Sequence, residues 1–170
     1  SDFNINNSIF KNINADAIDS DFSSGKVVNS SFFNCANDAI DISSSKVGIN
    51  NISIERIGDK GISVGENSHV SANYVKIINA EIGISSKDLS VITVNNAYLE
   101  DNEIGLTAFR KKSEYGPGYI KCYDIRFKNV TIPYLVETFS ELKIDGEIKQ
   151  SKNLKIKDLL YGVKYGKSSN

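Results

Sequence analysis

Methionine and tryptophan do not occur in this chain of 170 residues, histidine occurs once, and cysteine and proline occur twice each. No apolar run approaches the ~20 residues that a membrane-crossing helix needs, so no membrane span is expected. No signal or transit peptide opens the sequence. Excess charge of one sign is missing too: 20 Lys+Arg stand against 21 Asp+Glu, with a pI near 5.9. A nucleic-acid-binding domain is usually strongly basic, so nucleic acid is not an expected partner. The single histidine, His69, sits in a Gly/Asn/Ser turn and reads as exposed and idle, leaving no histidine-based nucleophile triad to assemble. Neither a Cys/His zinc pattern nor a phosphate-cradling glycine loop is present. Methionine is missing even at position 1 and the chain opens in mid-pattern, so it reads as a piece of a longer protein. The upstream part is then an expected partner, lying over the first coil.

What is there is a repeat. With 40% apolar residues the chain suits one domain with a real core, and self-similarity organises it. Asn7, Asn29, Asn51, Asn73 and Asn95 are spaced by 22 residues, and so are Ile18, Ile40, Ile62, Ile84 and Leu106. Beside the latter run Ala17, Ala39, Gly61, Gly83 and Gly105. A third apolar column reads Phe10, Phe32, Ile54, breaks at Lys76 and resumes at Tyr98. After Leu106 the matches become Asp124, Phe127 and Leu135, a step of 29 residues, so 111–117 reads as a seven-residue insertion. Helical repeats are longer, and leucine is too scarce before residue 135 for a leucine-rich repeat. Short alternating stretches such as Ile52-Ser53-Ile54 favour strands.

Three short strands and three turns fit one coil, and the coils stack at about 4.8 Å. In that arrangement the asparagine column is a turn ladder. On these repeats the chain resembles the right-handed parallel β-helix repeat family, the pectate-lyase-like superfamily, through Asp16-Ala17-Ile18-Asp19, Asp38-Ala39-Ile40-Asp41, Gly61-Ile62-Ser63-Val64, Gly83-Ile84-Ser85 and Gly105-Leu106-Thr107. The expected fold is all-β: a single-stranded right-handed parallel β-helix of about six coils over residues 1–150, N-terminally truncated. Residues 151–170 form a C-terminal cap or tail, in which Leu154, Ile156, Leu159, Leu160 and Val163 suit a short amphipathic segment folded over the final rung.

Cys35 belongs to the column of Ile13, Ile57 and Val130, and Cys122 to that of Ile5, Val27 and Ile49. Lying about four rungs apart, roughly 19 Å, they are too distant for a disulfide or a shared metal site and read as two buried thiols. Charge divides along the chain, with 7 Lys/Arg against 12 Asp/Glu in residues 1–100 and 13 against 9 thereafter.

With Ile18 inward, alternation turns Ala17, Asp19 and Asp21 outward, and the columns extend this face as a flat floor of small and polar residues. Such a floor suits an extended polysaccharide, as it does on many proteins that the chain resembles. Asp19 stacks on Asp41, and two carboxylates one rung apart repel, raising a pKa or inviting a cation. With Asp21 the cluster offers oxygens to Ca²⁺; acid/base work or a solvated pair are the alternatives. Lys87 and Arg110 sit beside the floor. In a lyase of this superfamily such cations neutralise a uronate or act as base; otherwise they belong to an ion-pair ladder, Asp88 with Arg110 and Lys87 with Glu66. The basic insertion, with Lys111 and Tyr115, reads as a grip on a sugar chain or as a plain surface loop.

The leading expectation is a secreted or cell-surface module that binds an extended carbohydrate polymer through Asp19, Asp41, Glu66, Lys111 and Tyr115. A Ca²⁺-dependent polysaccharide lyase or epimerase using Lys87 and Arg110 is the alternative, and a structural element stacking through its coil ends is a third. The His-bearing motifs of pectin hydrolases and the Asp-His and Arg-x-Pro-x-x-Arg patterns of pectate lyases do not occur here.

Overall fold

In the computed structural model, which describes residues 1–162, the chain winds through successive coils that pair in parallel to build a solenoid with three sheet faces. The first face stacks Asp2–Asn6, residues 24–28, 46–50, 69–73, 91–95 and 119–123, and Glu141–Ile144. The second stacks Ile9–Ile13, 31–35, 52–57, 75–80, 97–100 and 125–128. The third runs Ile18–Asp21, Ile40–Ser43, 60–65, 82–87, Ile104–Phe109 and Ile132–Val136. β-Branched residues dominate the inward positions, where a stiff side chain packs directly on its equivalent one rung away.

Bends between faces use left-handed backbone. Asn7, Asn29, Asn51, Tyr74, Asn96 and Asp124 share φ between 49° and 55°, and Asn12, Asn34, Arg56, Asn79, Asp101 and Asn129 share φ between 53° and 59°. Asn and Asp tolerate this region best because their short polar side chains bond locally. Amides also bond rung to rung: Asn51 Nδ2 donates to Asn29 Oδ1 at 2.8 Å, and Asn34 Nδ2 to Asn12 Oδ1 at 2.8 Å. At the third bend the link is made by serine. Ser23 N donates to Ser45 Oγ at 2.9 Å, Ser45 N to Ser68 Oγ at 3.0 Å, and Ser68 N to Ser90 Oγ at 3.0 Å.

The isoleucine/leucine column is in register. Ile18 pairs with Ile40, Ile40 with Ile62, Ile62 with Ile84, and Ile84 with Leu106, all buried. The other columns slip. Asn73 lies opposite Asn50 rather than Asn51, because one residue is added at the Glu66–Asn67 bend, where both residues have positive φ. The slip lasts until Lys60 meets Ile82. It also removes the apparent break at Lys76: Ile54 stacks on Ile77, Ile77 on Leu99, and Leu99 on Phe127. Lys76 and Tyr98 face outward instead, with the ammonium 6.0 Å from the ring. Tyr119 pairs with Val91 and Tyr134 with Leu106, so the long coil steps by 28 residues rather than 29, and Leu135 belongs beside Thr107.

The Ala/Gly stripe points inward rather than onto a floor. A Cβ at Gly61 would lie 2.8 Å from Ile77 Cδ1, one at Gly83 3.2 Å from Leu99 Cδ1, and one at Gly105 2.8 Å from Phe127 Cε1. Ala17 and Ala39 immediately precede their third-face strands and Gly61, Gly83 and Gly105 stand second in theirs, at the corner with the second face, where strict alternation does not yet hold and their smallness makes room for the neighbouring apolar column. Cys35 stacks between Ile13 and Ile57, and Cys122 on Val94; both are buried free thiols.

The C-terminal segment pairs with strands of the last coil and then, where a segment folded over the final rung was expected, turns back along the third face. Lys152 bridges to Glu137 beside the final third-face strand, and the short antiparallel strand Glu147–Ile148 folds onto Glu141–Ile144. The helix α1 (Ile156–Leu160) then lies against the outer side of the third face, where Ile156 and Leu160 form a second apolar cluster with Ile82, Ile104, Phe109 and Leu135. Val163 falls outside the described residues.

Candidate functional site

The expected floor is therefore divided. Asp19 and Asp21 are exposed on the outer side of the first third-face strand, and Asp19 pairs directly with Asp41. Further along the stack Ser63, Ser85, Thr107 and Phe109 are fully buried. Burial, then the charges of Asp41, Asp21 and Asp16, pushes the Asp19 carboxyl above its usual range. Asp41 is compensated from the other side: Lys87 Nζ is 3.7 Å from Asp41 Oδ1 and donates to Ser63 Oγ at 2.5 Å. Among the described residues no group of three or more His, Cys, Asp or Glu side chains is placed to hold a metal ion, so Asp19, Asp21 and Asp41 do not converge as a calcium cage would require.

Lys87 and Arg110 are not brought into one site. The Lys87 ammonium is buried in the network just described, whereas Arg110 is exposed and lines a groove against the C-terminal segment. The expected ion-pair ladder is replaced as well. Asp88 Oδ1 accepts from the backbone N–H of Lys111 at 2.7 Å and of Lys112 at 2.8 Å, and the Lys112 ammonium pairs with Glu66. Asp88 thus anchors the insertion, and Glu66 ties it down from a bend. Tyr115 is half-buried, its N–H bonded to Lys112 O at 3.1 Å, so it is a part of the loop's own packing.

A second buried charge network went unread in the sequence. Lys60 Nζ lies 2.7 Å from Asp59 Oδ2 and 3.6 Å from Asp38 Oδ1, with all three side chains almost wholly enclosed. Burial opposes the Lys60 charge, but Asp38 and Asp59 outweigh it and hold the ammonium well above the ordinary lysine value. Asp38 is itself pushed up, chiefly by burial, against the pull of Lys60. These carboxylates also serve the backbone: Asp16 Oδ1 accepts from Asp38 N at 2.8 Å, and Asp38 Oδ1 from Lys60 N at 2.9 Å. The recurrence of Asp16 and Asp38 at one repeat was the available signal. The Tyr161 ring sits between two cations, 5.7 Å from Lys60 Nζ and 4.7 Å from Lys111 Nζ, which pins the C-terminal segment to solenoid and insertion together. Lys111 is lowered by burial and by the nearby charges of Lys87 and Lys60.

The groove between insertion and C-terminal segment has a volume of about 440 Å³. Arg110, Lys111, Lys155 and Lys157 line it, with the ring of Phe139, which is 86% exposed. Glu137 builds its wall, accepting from Arg110 N at 2.9 Å and from Ile156 N at 3.2 Å. The sequence pointed to Arg110 and Lys111 but not to Phe139, Lys155 or Lys157, which reach the groove only because the chain doubles back. In chemical terms this is a cationic cleft with one bare aromatic face, suited to binding.

A family model described as right handed beta helix region matches residues 1–132. No curated protein and no solved structure matches the chain.

Proposed function

The chain belongs to the right-handed β-helix family, and we propose that it serves as a module at the cell surface or outside the cell that binds an extended carbohydrate polymer without cleaving it. The observation that carries this reading is the groove in which the exposed Phe139 ring shares one cleft with Arg110, Lys111, Lys155 and Lys157. An aromatic face offers apolar surface to the C–H side of a sugar ring, and planar or rotatable cationic donors satisfy hydroxyl and carboxylate oxygens. The Asp19 end of the third face offers further acceptors on the same side of the solenoid, and a polymer following the axis would meet equivalent positions about every 4.8 Å. The binding reading is favoured over the lyase because Lys87 faces Asp41 and Ser63, away from the cleft that holds Arg110.

Affinity electrophoresis against a panel of soluble polysaccharides tests this. Retardation by at least one polymer, weakened about tenfold or more in Phe139→Ala and in Arg110→Ala, is the expected result. Retardation by none, or variants that behave as the parent, would overturn it. The same incubations, followed for absorbance from new unsaturated sugar ends, distinguish a lyase: a rising signal with the parent protein would replace the binding reading.

A further inference from the structure

The first face differs from the third in both charge and exposure. Its inward column, Val27, Ile49, Ala72, Val94 and Cys122, is buried, which turns the alternate residues outward. Outward on the rungs from residue 24 to residue 123 stand Lys26, Lys46 and Lys121, all exposed, and not one of the outward residues on those rungs is Asp or Glu. The acidic residues of this face are confined to its end rungs, Asp2 and Glu141, while Asp19, Asp21, Asp41 and Asp59 belong to the third face or its approach. Among the described residues none of the three lysines is in an ion pair, whereas Lys143, on the last rung, is 3.1 Å from Glu141. Gly48, Ser71 and Thr93 lie between the lysines, and these small residues leave a shallow trough of about 600 Å³ that Lys26 and Lys46 line, with Asp2 at its near end and Lys121 beyond its far end. Gly48 is its low point. A Cβ added there would meet only Lys26 Cγ at 3.8 Å and Ser71 Oγ at 3.9 Å, so the trough is open to solvent above it.

We propose that this face is a second binding surface, which takes a linear anionic glycan laid along the solenoid axis. The inference rests on the carbohydrate-binding reading and adds a site and a charge requirement to it. Lys26 and Lys121 are four rungs apart, roughly 19 Å, so one chain carrying regularly spaced acidic groups can meet both ends of the strip. On the rungs from residue 24 to residue 123 these unpaired cations face no carboxylate, the nearest being Asp2 on the rung before, so the strip attracts such a chain at both ends. Between them the lining mixes apolar surface from Val47, Val70 and Val91 with the hydroxyls of Ser71 and Thr93, which offer contacts to the C–H faces and the hydroxyls of a sugar chain. A single-stranded nucleic acid would call for a succession of aromatic stacking platforms and denser positive charge, whereas the outward tyrosines of these rungs, Tyr119 and Tyr123, both stand on the rung of Lys121.

Dextran and dextran sulfate share one backbone and differ in charge, so they separate the two readings. Titration of the full chain should show tighter binding of dextran sulfate than of dextran, weakening as salt is added. Two variants test the location. Lys26→Gln/Lys46→Gln/Lys121→Gln removes the charges, and Gly48→Glu places a carboxylate in the trough at a position where an added Cβ meets nothing closer than 3.8 Å. Each should lose at least tenfold in dextran sulfate affinity at an unchanged circular dichroism spectrum, while Phe139→Ala retains the salt-dependent component. Equal binding of the two dextrans would overturn this inference and leave the carbohydrate reading standing; failure of both, and of the wider polysaccharide panel, would remove both. Loss of dextran sulfate binding in Phe139→Ala but not in the lysine variant would place the anionic chain in the other groove. Tighter binding of oligo-dT than of dextran sulfate would replace the glycan by a nucleic acid.

Discussion

Replacing Gly83 by alanine tests the inward-facing small-residue stripe, on which the placement of the third face depends. The added Cβ would sit 2.6 Å from the carbonyl oxygen of Gly105 on the next rung, with Leu99 methyls at 3.2 and 3.3 Å. The obstacle is backbone held in a parallel ladder, so relief requires the two rungs to shift by several tenths of an ångström. Overpacking of this kind costs about 1–3 kcal/mol. Restricting the unfolded chain offsets about 0.4–1 kcal/mol, which leaves a net loss of roughly 1–2 kcal/mol. With a urea dependence of about 2 kcal/mol/M for a domain of this size, the unfolding midpoint should fall by about 0.5–1 M. Gly48→Ala is the matched control: its Cβ meets nothing closer than 3.8 Å, so the same mutation there should be neutral or slightly stabilising. Equal midpoints for the two variants would refute the inward orientation. An outward stripe, forming a flat floor, would accept alanine at both positions.

Three other outcomes follow from the packing and charge networks. Phe32, buried and stacked on Phe10 at a centroid distance of 4.8 Å, should cost about 3–5 kcal/mol on truncation to alanine, read from urea unfolding. Lys60→Met leaves Asp38 and Asp59 without their ammonium partner and should destabilise by about 3–5 kcal/mol near neutral pH. Because the folded-state pKa of Lys60 lies above its ordinary 10.5, its contribution is complete below that pH and is lost as pH rises beyond it. The gap between parent and Lys60→Met should therefore be widest near neutral pH, narrowing above pH 10.5 as the ammonium is lost and on the acid side as Asp38, raised by burial, takes up a proton; a gap that stays constant across both ranges would contradict the assignment. Burial pushes the Cys122 thiol up to about 12 and also raises that of Cys35, so neither should react with a thiol reagent until the chain unfolds. Rapid labelling of the native protein would show that the interior opens.

The contrast between what the sequence revealed and what it concealed has a physical cause. Ile18 to Leu106 could be read as a column because an inward β-branched position is constrained by its own rung and both neighbours, so the residue type persists through every coil. The asparagine column was misplaced for the opposite reason. A left-handed bend constrains only φ, so Tyr74 and Asp124 fill it as Asn7 and Asn29 do. One extra residue at Glu66–Asn67 could then shift the frame while Asn73 and Asn95, a single position away, preserved the appearance of a repeat. The Ala/Gly stripe failed in a third way: at the corner where the third-face strands begin, strict alternation does not hold, so Gly83 and Ile84, adjacent in sequence, both face the interior. The site was the least legible part. Lys87, Asp88, Glu66 and Glu137 look in sequence like free chemical groups on a face, but their charges are occupied by Asp41, by two backbone N–H groups, by Lys112 and by the N–H groups of Arg110 and Ile156. Partners contributed by the insertion and the C-terminal segment have no counterpart in the repeat, and periodicity cannot anticipate them. Conversely, Lys26, Lys46 and Lys121 carry no motif: Lys26 and Lys121 share a column that Gly48, Ser71 and Thr93 fill between them, and Lys46 stands in another, yet the winding of the chain places all three on one face that no later segment of the described chain covers. In a solenoid the repeat dictates which residues stack, and the irregular segments dictate which faces remain open to a ligand; the second question is the one on which function turns.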